Sequence, residues 1–404
     1  MLIRIDDEIV KVVSVYAVTL SMLFSAYPYM FFQLLPLPSI KILSAIFFLL
    51  YLFILFVKRK ITIPNRIILY TLFFQVLFLF ISFIYHSDTT YITRIVLLLL
   101  TFGSILCLNN TKLGIIGFIK FYNNIILLMA VAGCLCFIIK LFIPFEPISV
   151  FVNPDGRPSY FYGLSFTNYQ LGNIIRYSGF FDEPGAIANW GIFALLFNYL
   201  FIHNKKYERI LSICLLFTFS VAYYIQILFF ILVVKRFSIR KFFYLFIGIF
   251  IIIGAILFTK DSEIDLYRLT LYRLEINEET GGLQGDNRSE LAEKSKEQFV
   301  KYPLMGQGAQ KISDMDYMAD NPYEILAKDG ILGTLMTYLP LLVVLFVKFH
   351  KQKYVFSIIL LFLGYLQRPF HIDLVHPMML YCMFYLMIMY DNLKNYPEQF
   401  IYEK

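Results

Sequence analysis

The chain has 404 residues, of which 59% are hydrophobic and 16% charged, against about 25% charged in an ordinary soluble domain. Its mean hydropathy is +0.69 and its formal net charge is +7. These values exclude a water-soluble globular domain. The basic residues are scattered over short loops, which also excludes a nucleic-acid-binding patch.

Apolar runs near the length that crosses a bilayer recur along the chain. The N-terminal stretch MLIRIDDEIVK is too acidic for a secretory leader, and no small-residue cleavage site follows. The first run, 11–32, is therefore read as a retained helix. Further helices are expected at 39–57, 67–85, 91–108, 122–143, 185–202, 209–234, 242–259, 323–347, 354–370 and 374–391. Basic residues cluster at 58–60 (KRK) with Arg66, at 205–209 (KKYER), at 235–241 (KRFSIRK) and at 348–353 (KFHKQK). The positive-inside rule puts all four in the cytoplasm. Since both ends of 209–234 are basic, that segment is read as a hairpin of two short helices breaking near Ser220. The expected fold is one all-α polytopic membrane domain over 1–404, with about 12 crossings and both termini cytoplasmic. One long helix at 209–234 would give 11.

In this topology two long loops face outward, 144–184 and 260–322. The second carries 13 acids against 8 lysines and arginines, a balance that needs no cytoplasmic placement. The first ends in RYSGFFDEPGA, 176–186. Pro184 suits a first helical turn, and Asp182 and Glu183 stand at the positive end of the helix dipole. Arg176, with Arg157 from the same loop, can form an anion site beside that helix start. In the second loop LYRLTLYRLE, 266–275, reads as an interfacial helix with Arg268 and Arg273 at headgroup level. A surface helix is expected from 286, with Asn287 as N-cap and Arg288 in its first turn. YPLMGQG, 302–308, reads as a turn.

The segment DNPYEILAKDGILG, 320–333, opens a membrane helix, with Asn321 as N-cap, Pro322 at the first position and Glu324 completing a capping box. Asp329 sits at lipid depth, where an acid faces a cavity or a partner. Asp314 and Asp316 form a weak DxD. Arg368, His371 and Asp373 stand at an outer helix end, with His371 a candidate proton carrier. The five cysteines all lie in apolar stretches, and Cys134 and Cys136 fall on different helix faces, so neither a disulfide framework nor a metal pair is expected.

Arginines above an apolar bundle suit a diphosphate on a long lipid tail. They can stabilise its charge as a leaving group, while a carboxylate or histidine takes a proton from an attacking hydroxyl. Two motifs carry a resemblance at this point. One is R-x-x-G-x-x-x-E-P-G at Arg176, Gly179, Glu183, Pro184 and Gly185. The other runs from Arg288 through Pro303, Gly306 and Gly308 to Asn321, Leu326, Gly330 and Gly333. The chain resembles the O-antigen polymerase and ligase superfamily of bacterial envelope enzymes, and the EPG form looks more like the polymerases. The resemblance implies a GT-C-like helical fold and a glycosyltransferase of the bacterial inner membrane whose active site faces the periplasm. It would transfer a glycan from undecaprenyl diphosphate onto the next lipid-linked repeat unit. Arg176 and Arg288 would bind diphosphate oxygens, with Arg157, Arg273, Arg368 and Asn321 nearby. No metal or cofactor is implied; a chain-length regulator is an allowed partner. Ligases of this family commonly carry a histidine where this chain has Asp320, so the base stays open among Asp320, Glu183 and His371. A ligase and a flippase of lipid-linked sugars remain the competing readings.

Overall fold

The computed structural model describes residues 7–24, 29–30, 65–109, 114–152, 156–171, 173–235, 271–276, 289–315, 321–367 and 375–394, with a few isolated positions between. Within these residues the chain is a bundle of apolar helices with a small β-structured cover. Helix α1 spans Asp7–Phe24, α2 Arg66–His86, α3 Thr90–Asn109 and α4 Gly114–Phe142. Helix α5, Pro184–Phe197, continues as a π-turn over Asn198–Ile202. Five stretches are long and apolar enough to cross a membrane: Arg66–His86, Thr90–Asn109, Gly114–Phe142, Pro184–Ile202 and Glu324–Val347. Three shorter apolar helices accompany them. The protein is a helical membrane protein. The expected segments 39–57 and 242–259 lie almost wholly outside the described residues, as does the rest of the count towards twelve.

Helix α5 is the buried centre. Trp190, Phe193, Leu195, Leu196 and Phe197 are all enclosed. Lipid tails are as apolar as leucine, so this burial is not driven by the hydrophobic effect, and close packing with interhelical hydrogen bonds must hold it. Asn123 on α4 donates to the Ala194 carbonyl at 3.2 Å, and Tyr207 donates to the Asn123 carbonyl at 3.0 Å.

The segment 209–234 does turn back on itself. Helix α6 is Lys205–Leu216 and α7 is Val221–Phe229, prolonged by a π-turn to Val234. Ser220 caps α7, its hydroxyl accepting from the Tyr223 amide. Phe219 just before it has φ of +50°, a conformation that side chains other than glycine rarely adopt. At the open end of the hairpin Lys235 pairs with Glu208. Lys235 also shares a cleft with His350 and Lys353. Three of the basic loops thus meet at one end of the bundle, as the charge pattern requires.

The loop expected at 144–184 carries five short strands. Strands β1 (Ser149–Val152), β2 (Pro158–Phe161) and β3 (Phe166–Thr167) form an antiparallel ladder, and β4 (Gln170–Leu171) pairs with β5 (Ile174–Ile175). Val150 and Val152 point outward on β1, while Ser159 and Phe166 are enclosed. The helical bundle thus carries a small β-structured cover on this loop. Short runs such as SVFV satisfy their backbone groups by pairing with one another.

Of the large loop 260–322, helix α8 covers Ser289–Lys301 and α9 Ala309–Asp314. At 271–274 there is one 3₁₀ turn. Glu290 pairs with Lys294 one turn on, at 2.6 Å. Helices α10 (Glu324–Thr337) and α11 (Leu339–Val347) form one crossing, broken at Gly330 and again at Tyr338 before Pro340. Helix α12 is Gln352–Gln367 and α13 Val375–Lys394.

A test of the hairpin follows from the Glu208–Lys235 pair. With Glu208→Cys and Lys235→Cys in a background free of other cysteines, a short bis-maleimide should link the two sites within one chain. In one continuous helix they would lie about 40 Å apart, and no link would form.

Candidate functional site

A cluster of buried charge lies at the other end of the bundle, where α2 ends, α3 begins and α10 is broken. Gly330 has φ of +66° and ψ of −169°. This frees backbone groups at lipid depth, where water cannot satisfy them. The turn 302–308 supplies the partners. The Gln307 and Gly308 amides donate to the Ala327 and Lys328 carbonyls at 2.9 and 3.0 Å, and the Ile331 and Leu332 amides donate to Pro303 and Leu304 at 2.8 and 3.1 Å. The approach is so close that a Cβ on Gly306 would stand 2.4 Å from the Lys328 carbonyl carbon, and one on Gly330 2.3 Å from the Leu304 oxygen. Gly306 and Gly330 of the second motif are therefore brought together where two backbones touch, while Gly308 packs on the His86 ring and Gly333 on the Asp329 side chain.

The kink presents Asp329 to α3. Arg94 Nη1 donates to its Oδ2 at 2.7 Å and the Tyr91 hydroxyl to its Oδ1 at 2.8 Å. The side chains of Arg94 and Asp329 are only 7% and 2% exposed. The Arg94 guanidinium also lies over the Tyr91 ring, 5.0 Å from its centroid. Asp329 was expected to face a cavity or a partner, and it faces both. Arg94 was missed. The signal was present, because it is the one charge in the apolar run TYITRIVLLLLTFGSILCLN, and an intramembrane arginine always needs an account.

Around this pair stand three further groups. Lys328 is fully buried and paired with Glu324 at 2.5 Å, so Glu324 serves that ion pair. Asn321 makes the turn before α10, its side-chain oxygen accepting from the Tyr323 amide at 3.0 Å, and its amide reaches Ser295 on α8 at 3.2 Å. Helix α10 proper begins at Glu324, two residues later than the capping expectation. Asp88 bridges two elements, accepting from the Thr90 amide at 2.8 Å and from the Gln310 amide of α9 at 2.7 Å. Burial works against its ionisation, but these hydrogen bonds and Arg94 outweigh it and hold the carboxyl below its ordinary value.

The opening of α5 forms a second cluster. The stretch 176–181 is laced to β3: the Phe166 amide donates to Gly179 at 2.7 Å, and the Ser178 amide to Phe166 at 2.8 Å. Arg176 is half-buried. Its Nε donates to the Thr218 carbonyl at 3.2 Å and its Nη2 to the Phe219 carbonyl at 3.1 Å. It thus clasps the tip of the α6–α7 hairpin, where the C-terminal carbonyls of α6 favour a cation. Asp182 is buried, and Glu183 occupies the N-cap position of α5 without a capping bond from its side chain. Its carboxylate instead lies 3.6 Å from Arg157, with Arg157 52% and Glu183 12% exposed. Glu183 was expected at the positive end of the helix dipole, and it stands at that end. Its backbone is extended, at φ −148° and ψ 158°, and its carboxylate goes to the arginine.

Asp320, His371, Arg288 and Arg368 lie outside the described residues, as do the side chain of Arg273 and all of Asn287, Arg268, Asp316 and Asp373. Asp314 of the DxD accepts from Gln310 at 3.0 Å. Comparison with family models, with curated proteins and with solved structures returns no match.

Two outcomes follow from the buried cluster. Asp329→Ala should lower stability by about 3–5 kcal/mol, because it strands the Arg94 charge, whereas Arg94→Met with Asp329→Leu should recover most of the loss; thermal melting in detergent distinguishes them. Asp88→Ala should cost about 1–2 kcal/mol, the worth of a lost cap. A depressed carboxyl stabilises fully above its unfolded value and loses that contribution as pH falls through the folded one. The difference between wild type and Asp88→Ala should therefore be constant at neutral pH and shrink below pH 3.8, the ordinary value.

Proposed function

We propose that this chain is a polysaccharide polymerase of the O-antigen polymerase type, acting at the outer face of a bacterial inner membrane. It transfers a glycan from undecaprenyl diphosphate onto the next lipid-linked repeat unit. The observation that carries the reading is the Arg157–Glu183 pair at the mouth of α5. An acid and an arginine stand together at the N-terminus of the most enclosed apolar helix, the acid is not used as a cap, and both reach the surface. A helix N-terminus with an adjacent arginine favours phosphate oxygens. A partly enclosed carboxylate beside it can accept the proton of an attacking sugar hydroxyl.

Arg176 enters as a positioning residue. By clasping Thr218 and Phe219 it holds the hairpin tip against the loop that carries Glu183. The resemblance in R-x-x-G-x-x-x-E-P-G supports the same reading, since Arg176, Glu183 and Pro184 all fall at this junction. The apolar flanks of the bundle suit the lipid carrier.

The test is the size profile of surface polysaccharide in a strain lacking the chain, rescued with wild type or with Glu183→Gln. Wild type should restore a ladder of long chains. Glu183→Gln should leave single repeat units, with polymer reduced about a hundredfold or more at equal protein level. Long chains stranded on the carrier would make the protein a ligase, and units held in the cytoplasmic leaflet would make it a transporter; either result overturns the proposal.

A further inference from the structure

The basic end of the bundle carries an open cleft of about 360 Å³, within the span of about 300–1,000 Å³ usual for ligand pockets. Three parts of the chain wall it. Tyr199 comes from the π-turn after α5, Lys235 from the end of α7, and His350, Gln352, Lys353 and Phe356 from the turn before α12 and the start of that helix. The walls are held in place. The Tyr199 hydroxyl donates to the Val234 carbonyl at 3.0 Å, Glu208 pairs with Lys235, and the Lys353 ammonium lies 4.9 Å from the centre of the Tyr354 ring.

The charge here is one-sided. Glu208 is the only acid between 198 and 235, and no acid occurs between 339 and 367. Against it stand Lys235 and Lys353 in the cleft, Lys348 and Lys351 in the same turn as His350, and Lys205 and Lys206 at the start of α6. Glu208 balances Lys235 alone. The cleft's basic side chains reach open space: Lys235 is 32% exposed, His350 is exposed and Lys353 partly so. The first turn of α12, a helix of 16 residues, borders the cleft with its positive end, which favours an anion. The carbonyl end of α7 acts against this, but Tyr199 takes the Val234 carbonyl and Lys235 stands next to it. Lipid lies beside the site. Phe346 and Phe349, just before and within the turn, are 84% and 73% exposed, and side chains so apolar at the end of a membrane crossing lie against lipid. Ile359, about one turn beyond Phe356 on α12, is 39% exposed, so an apolar track leads from the cleft along the helix.

We propose that this cleft binds the headgroup of an anionic phospholipid, its phosphate drawn by Lys353 and Lys235 and its acyl chains lying along α12. The positive-inside rule assigns this end to the cytoplasm, and basic residues at that surface attract anionic lipids of the facing leaflet. The site lies at the opposite end of α5 from its mouth and does not depend on the reaction proposed there.

The experiment is lipid binding by the purified, delipidated full chain in detergent, read by native mass spectrometry. The probes are phosphatidylglycerol, phosphatidylcholine and glycerol 3-phosphate. Phosphatidylglycerol should bind roughly tenfold or more tightly than phosphatidylcholine, which carries the same phosphate but adds a cationic choline. Lys353→Gln should weaken phosphatidylglycerol about fivefold, the effect of one cation near a membrane surface. Lys205→Gln removes the same charge from the same end but outside the cleft, and should change binding less than about twofold. Equal binding of the two lipids would overturn the site. So would equal losses in the two variants, which would mean attraction to the whole basic face and not to a cleft. Glycerol 3-phosphate binding as tightly as the lipid would overturn it too, in favour of a soluble anion. Should Lys353→Gln fail to fold, a photoreactive phosphatidylglycerol on wild type decides the matter: labels within 199–202, 231–235 or 350–359 support the site, and labels only elsewhere sink it.

Discussion

The break in the membrane crossing at Gly330, and the buried Arg94–Asp329 pair it permits, organise this end of the molecule. A straight helix through Asp329 would satisfy its own backbone and leave the acid facing whatever lay beside it. The positive φ of Gly330 instead opens four amides and carbonyls to the 302–308 turn and turns Asp329 toward α3. The turn 302–308 is thereby fastened into the bundle through backbone hydrogen bonds, and α3 is fastened to α10 through charge. Each supports the other, because the pair tolerates burial only while the geometry stays good.

The cover built on 149–183 obeys a related constraint. Its strands are two to four residues long, too short to hold themselves together. They are held by Phe166, Ser178 and Gly179, whose amides and hydroxyls interlock, and by Arg176, which crosses to the hairpin tip. One arginine thus joins the loop before α5 to the turn between α6 and α7. The acid that follows, Glu183, keeps its carboxylate for Arg157, so the mouth of α5 carries a polar pair that the helix itself does not consume.

Much of this was legible in the residues. The basic loops at 205–209, 235 and 348–353 predicted that both ends of 209–234 share a side, and the Glu208–Lys235 pair puts them there. Ser220 was readable as the break because a serine before an apolar run is a cap. Asp329 was readable as a partnered acid because lipid depth forbids anything else. Other features were not legible. The strands of the outer loop are too short for a period to register. Arg176 reads as an anion ligand because it stands beside Asp-Glu-Pro-Gly, but its bonds to the Thr218 and Phe219 carbonyls, more than forty residues away in sequence, could not be read there.

The sequence by itself determined the class and the approximate places of the helices among the described residues, since those depend on local composition: apolar length, basic loops, prolines and caps. Only the tertiary structure decided which charges meet. Arg94 and Asp329 are 235 residues apart, and nothing local to either names the other. Burying a charge is a non-local event, settled when two helices and a kinked third close around it.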